Sequence, residues 1–404
     1  MTVSYVSLVG TTNYTTFLRL LFIWRGSVYR LIWFEFLIFV FLYTLLSIVY
    51  RFALYGVIKT YFENACLYCN KYNNIIPVPF VLGFYVALIV DRWWEQFQSL
   101  PWPDQIALYL TAFCRGTHET PTRIRRTIMR YVNLSYCIAL CCVSSRARSR
   151  FPTEDHLISA GLMTTEELET YRNIPKIGYT PYYAPLLWSV DMIVQARRDG
   201  YIKSDRAVEI LNNEINTIRG LLGTIFSYDW INPPLVYTQT VTIVVYSYFT
   251  SCLFAWQYLD PSKGYPGNEF DLYVPVFGLL RFFFYMGWFK VAESLINPFG
   301  EDADDLEIEY IIERNLNVSY MIVDNIQHTH HQFLRRSSED PDWTKTNWFA
   351  DTNKQEANSE SNRLVGSLAN VEMSDERRTS IFPGRLSIAE LFLPLKNLRW
   401  ISKP

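Results

Sequence analysis

Histidine is scarce: the 404 residues contain five, too few for the histidine boxes of a membrane oxidase. Three of them, His328, His330 and His331, sit in one run that reads more readily as a solvated helix end than as a metal site. No GxGxxG, P-loop, GxSxG or HExxH occurs, so nucleotide-binding, esterase and zinc-peptidase chemistries have no scaffold here. Charge of one sign is also missing, since the formal net charge is −2. With no basic domain and no RNA or DNA motif, nucleic acid is not an expected partner. The start lacks the basic end and early apolar core of a signal peptide, so the first membrane span is expected to be its own targeting signal. The seven cysteines form an odd set, and the single CxxC of Cys66 and Cys69 is a weak zinc signal without a second pair. Strand-like alternation is scarce and no internal repeat appears, which points to an all-helical protein.

What the chain has in quantity is apolar and aromatic side chains, 50% and 17% of its residues. Residues 31–50 carry only Glu35, 233–258 carry no charge, 273–289 carry only Arg281, and 75–90 are uncharged before Asp91 and Arg92. Each run approaches the roughly twenty residues that cross a hydrocarbon core, so four crossings are expected. Arg19, Arg25 and Arg30 precede the first run, and Arg115, Arg123, Arg125, Arg126 and Arg130 follow the second. The positive-inside rule then puts both termini in the cytosol, with 51–74 and 259–272 outside. The N-x-S/T sequons at Asn13, Asn133 and Asn317 fall on the cytosolic side and are expected to be unused. A charge inside a span is costly, so Arg281 should either pair with Glu35 or line a crevice.

These shifts in texture divide the chain into a cytosolic segment 1–30, a first membrane helix pair 31–95, a cytosolic helical domain 96–232, a second membrane pair 233–295, an acidic turn with its following helix 296–334, and a tail 335–404 too polar to order itself alone. In the cytosolic domain, "TTEELETYRN" begins with a capping pattern. Ala207, Ile210, Leu211, Ile215, Ile218, Leu221 and Leu222 recur at helical spacing as a core face.

Two stretches invite more than a packing role. In "IIPVPFVLGFYVALIVDRWW", residues 75–94, Ile76, Phe80 and Phe84 fall at i, i+4 and i+8. Pro77 and Pro79 suit a helix start, where other N–H groups remain free to face something negative, and Gly83 permits close backbone approach. On spacing alone such a stripe is packing more often than function. In "NPFGEDADDLEIE", 297–309, six carboxylates crowd together without EF-hand spacing; alone, such a run is usually a solvated face.

"VLGFYVALIVDRWWEQF" with "LPWPD", "RFPT" at 150–153, "YDWINPPLVYTQ" at 228–239, "YPGNEFDLYVPVF" at 265–277 and "VAESLINPFGEDADD" at 291–305 resemble the animal bestrophin family. The resemblance runs from the start to about residue 325. It implies an all-α, multi-pass membrane channel subunit with a large cytosolic helical region, assembled as a homopentamer around a central pore. It implies a calcium-activated anion channel, with chloride and other small anions as permeant ions, the lipid bilayer as surroundings, and the plasma membrane as location. Ile76, Phe80 and Phe84 match the family's pore neck. Ca2+ is expected on the carboxylates of Asp302 and Asp305 with backbone oxygens of Gly10, Ser294 and Asn297. Ala303 removes one acid from the family's usual run. At the family's cytosolic aperture an ungapped comparison places Arg206, with Ala207 beside it; it either faces the pore or, in a shifted register, solvent. Glu214 matches a family acid of open role. "ERRTSIFPGRLS" resembles an inhibitory segment whose phosphorylatable serine is Ser380. The competing readings are a non-conducting regulatory or scaffold membrane protein and, less favoured, a membrane enzyme, since no nucleophile, base and metal set converges.

Overall fold

The computed structural model describes residues 5, 18–73, 75–116, 118–175, 180–265, 268, 271–302 and 304–329, the last five by backbone alone. Contacts divide the chain into a unit of residues 4–20 with 343–404 and a unit of the remainder. Of the smaller unit, Tyr5 and a helical turn at 18–20 are described. The larger unit runs through α1 (Val28–Ile48), continued by a π-helical turn at Val49–Ala53, then α2 (Gly56–Asn73), α3 (Val78–Gln98), α4 (Asp104–Phe113) and α5 (Glu119–Val143). Short α6 (Ser145–Arg150), α7 (Glu154–Ser159) and α8 (Thr165–Arg172) follow, then α9 (Ala184–Arg198), α10 (Asp205–Trp230), α11 (Leu235–Ala255), α12 (Val276–Leu295) and α13 (Ile308–Thr329). Among the described residues there is no strand, only an isolated bridge between Cys114 and Ile202.

Four of these helices share one apolar core. Ile32 and Phe39 of α1, Leu82, Tyr85, Val86 and Ile89 of α3, Val241 and Val245 of α11, and Phe282, Met286 and Phe289 of α12 are buried together. The outward faces stay apolar, as Phe34, Leu37 and Phe41 of α1 illustrate, which is the pattern of a helix solvated by lipid rather than water. Val28–Ala53 is long and apolar enough to cross a membrane, and α2 and α3 pass that test only as a pair bent by 51°. The third and fourth expected crossings fall on α11, diluted by its Thr and Ser residues, and α12, which carries Arg281, Lys290 and Glu293, and neither passes that test. Lys290 of this layer is paired, 2.8 Å from Glu35 and 2.7 Å from Glu293. Glu35 therefore does not pair with Arg281, and the crevice alternative holds for that arginine.

The helices α4, α5, α9, α10 and α13 enclose a second core built on Ile106, Leu110, Ile128, Met129, Leu134, Leu211, Leu222, Ile312 and Val323. The capping pattern forms: Thr164 accepts from the Glu167 N–H while the Glu167 carboxylate accepts from the Thr164 N–H. Along α10 the apolar stripe is buried at Ala207, Leu211, Ile215, Ile218 and Leu222. Asn133 is buried and donates to the Met129 carbonyl and the Ser319 hydroxyl, so its sequon is closed to glycosylation. Arg125, 1% exposed, donates to the carbonyls of Cys114, Gly116 and Val323. It thereby joins the carbonyls that follow the end of α4 to a carbonyl within α13. Arg314 of α13 reaches Asp104 of α4 at 2.6 Å, and Arg126 of α5 reaches Asp324 at 2.7 Å.

Candidate functional site

The helix carrying the aromatic stripe has two unlike faces. Leu82, Tyr85, Val86 and Ile89 are buried in the membrane core, whereas Phe80 and Phe84 are 66% and 62% exposed. Their rings meet edge to face with centroids 4.8 Å apart, a favoured aromatic pairing. Gly83, between them, has no atom within 4 Å of where a Cβ would lie. Pro77 caps the helix and Pro79 sits in its first turn, so α3 begins at Val78 rather than at Ile76. Ile76 occupies the preceding turn, accepting from the Val78 N–H at 2.8 Å, and packs half-buried against the membrane core. The stripe is helical and exposed for the two Phe residues, while Ile76 lies in the turn before it. At the other end of α3, Arg92 donates to the Tyr228 carbonyl and Tyr228 donates to Glu95 at 2.5 Å, tying α3 to α10.

At the opposite end of α10, Arg206 is exposed in the first turn, 2.9 Å from Glu209, while its neighbour Ala207 is buried. Glu214 accepts from Gln105 of α4 at 2.8 Å, and burial raises its carboxyl above the usual carboxylate range.

The acidic turn is organised around Asp305, 3% exposed. Its Oδ2 accepts from the Asp302 N–H at 2.6 Å. Burial raises this carboxyl, the Asp302 N–H opposes that shift, and the Asp302 charge adds to it. The turn closes through Gly300 N–H to Asn297 O at 3.3 Å and Leu306 N–H to Pro298 O at 2.9 Å. A Cβ on Gly300 would lie 2.7 Å from Asp305 Oδ2 and 3.3 Å from Asn297 O, so the absent side chain leaves a cradle between carboxylate and carbonyl. Ser294 lies in the last turn of α12. The residue four places on is Pro298, which has no N–H to give its carbonyl. The C-terminal end of a helix also favours a cation. Among the described residues no three His, Cys, Asp or Glu side chains gather as a metal group. A hard cation here would draw on Asp302, Asp305 and backbone carbonyls together, a donor set that suits calcium. Gly10 and Ser380 lie outside the described residues.

The sequence reading missed Arg146, whose guanidinium donates to the carbonyls of Glu301 and Asp302 at 2.8 and 2.9 Å and holds the turn against α6. No local pattern joins residues so far apart in the chain.

Residues 1–325 match the family described as Bestrophin, RFP-TM, chloride channel. The chain belongs to the bestrophin family. It is 47% identical to human Bestrophin-3 over 343 residues, 85% of this chain and 51% of that protein. To human Bestrophin-1 it is 45% identical over 345 residues, 85% of this chain and 58% of that protein. The chain thus spans roughly half of the curated bestrophins it matches. A solved bacterial bestrophin homologue from Klebsiella pneumoniae shares the fold, with a TM-score of 0.54 at 18% identity over 72% of this chain and 98% of that one. Bestrophins form a membrane-embedded channel family, not an enzyme family.

Proposed function

We propose that this bestrophin is a calcium-activated chloride channel, a homopentamer with four crossings per subunit and both termini in the cytosol of a plasma-membrane-embedded assembly. The observation that carries the reading is the two-faced α3, with Phe80 and Phe84 outward on a helix whose other face is fully packed. Around a fivefold axis, Ile76, Phe80 and Phe84 form a neck that closes by dewetting. The positive edges of the Phe rings face a passing anion, and the dipole at the N-terminal end of α3 adds positive potential without a buried cation.

Calcium, when bound, supplies a divalent charge to the carboxylates of Asp302 and Asp305 and the carbonyls of Gly10, Ser294 and Asn297. Ser294 ends α12, and α12 packs along α3, with the Phe289 and Tyr85 rings 6.4 Å apart. The clasp therefore adjoins the helix whose far face is the neck, and shifts its population between closed and open packing. Arg206 lines the cytosolic exit and concentrates anions there, and phosphate on Ser380 changes the charge of a tail segment acting on the channel.

The test is recording from purified full-length protein in planar bilayers, wild type beside the triple variant Ile76→Ala, Phe80→Ala, Phe84→Ala. Wild type is expected to pass anion current that rises with calcium, and the triple variant to conduct without calcium. Strictly calcium-dependent current in the triple variant refutes the neck. Wild-type silence at every calcium level favours the non-conducting scaffold.

A further inference from the structure

Arg281 lies six residues into α12 from Pro275, about 9 Å along the helix axis. Its guanidinium has the Tyr248 hydroxyl at 3.3 Å and the Trp256 ring at 6.0 Å, and no carboxylate within ion-pair distance among the described residues. Other cations of the same half of the molecule are matched: Arg51 with Asp271 at 2.6 Å, Lys59 with Asp260 at 3.5 Å, Lys263 with Glu63 at 2.6 Å. A guanidinium keeps its proton in any protein setting, so Arg281, exposed on α12 without a carboxylate partner, is open to an anion from elsewhere.

A second observation points into the same space. Gln257, 4% exposed, donates its amide nitrogen to the carbonyls of Tyr43 at 3.2 Å and Leu253 at 2.9 Å. Those two acceptors fix which end of the amide is which, and they leave Oε1 buried with no donor. Arg281 and Gln257 line one cavity of about 350 Å³, together with Cys66, Asn70 and Asn268. Its wall is the Trp256 ring lying over Gly278, where a Cβ would come within 2.6 Å of the ring. Phe277, also on the lining, is exposed on the outward apolar side. The cavity therefore offers a cation, has an unpaired hydrogen-bond acceptor buried in its polar lining, and opens beside an apolar surface.

We propose that this cavity binds a phosphate ester whose head group carries an N–H or O–H donor, the phosphate on Arg281 and the donor on Gln257 Oε1. Ethanolamine and glycerol phospholipids have that chemistry. Choline phospholipids have the same phosphate and no donor. Acyl chains would leave past Phe277, and a cavity of this volume holds a head group but not a whole lipid.

The experiment exchanges the full-length protein into an equimolar mixture of ethanolamine, glycerol and choline phospholipids with identical chains and reads the retained lipids by native mass spectrometry. Wild type is expected to retain the ethanolamine and glycerol species about tenfold over choline, the effect of one hydrogen bond to a buried acceptor. Arg281→Gln should lose that retention about tenfold while Arg281→Lys keeps most of it. The Gln variant removes a charge from a membrane helix, so its folding is not threatened. Equal retention of all three lipids by wild type, or undiminished retention by Arg281→Gln, overturns the proposal. Free phosphoethanolamine is then added: displacement of lipid assigns the site to a soluble phosphate ester, and no displacement assigns it to lipid, both with the same two contacts. Conductance and calcium play no part in this readout, so a silent channel leaves the result standing.

Discussion

Replacing Gly300 with Ala tests the clasp at one methyl group. The added Cβ would lie 2.7 Å from Asp305 Oδ2, 3.3 Å from Asn297 O and 3.5 Å from Asn297 Nδ2. A carbon atom and an oxygen rest near ~3.5 Å, so the carboxylate must retreat by the better part of an ångström. Asp305 cannot do so freely, because its Oδ2 accepts from the Asp302 N–H at 2.6 Å and the residue is buried. Overpacking of this kind costs about 1–3 kcal/mol. If that cost falls on the cation-holding geometry, it amounts to about 5–150-fold in apparent calcium affinity. The assay is current against free calcium in planar bilayers, with Gly220→Ala as the control, since nothing lies within 4 Å of a Cβ at that position of α10. Gly300→Ala should move the activation midpoint to higher calcium by that factor while maximal current and halide preference stay put, and Gly220→Ala should leave the midpoint unmoved. A wild-type midpoint in Gly300→Ala, in protein that still conducts, refutes the assignment of this turn to calcium.

Glu167 accepts from Arg130 at 2.6 Å on each oxygen and from Tyr131 at 2.7 Å. Burial alone would raise its carboxyl, yet these hydrogen bonds hold it at about 2, against an ordinary 4.5. That difference is about 3 kcal/mol, present in full above pH 4.5 and lost as pH falls through about 2. Glu167→Gln should lower the thermal midpoint of the purified protein at neutral pH, with the gap to wild type closing between those two values; a constant gap across that range contradicts the linkage. Arg206→Ala should reduce the chloride-to-sodium permeability ratio and leave thermal stability unchanged, since the exposed pair with Glu209 contributes little to the fold. An unchanged ratio removes Arg206 from the conduction path.

Helices were legible wherever their reasons are local. Apolar periodicity marked the buried face of α10, Thr164 and Glu167 marked the start of α8, and two prolines marked the start of α3 within a residue or two. Of the candidate site, the outward Phe80 and Phe84 were legible, and so was the acidic turn. The turn's scaffolding was not: Arg146 reaches it from 155 residues away, and Gly300 matters through a void that no pattern of residue types records. Whether Arg281 pairs with Glu35 was left open by the sequence, and packing decided it by placing Lys290 against Glu35. Ile76 fell outside the helix because proline removes the N–H groups that would have extended α3 backward.

Arg125 has a mechanical corollary. One rigid fork clips the exit of α4 to the far stretch of α13 through main-chain oxygens at Cys114, Gly116 and Val323, and α13 starts at Ile308, three residues past Asp305. With its distal part bolted, that helix acts as a strut: a displacement arising at its near end cannot be dissipated by sliding and must be carried by the whole second-core block or turned back toward α12.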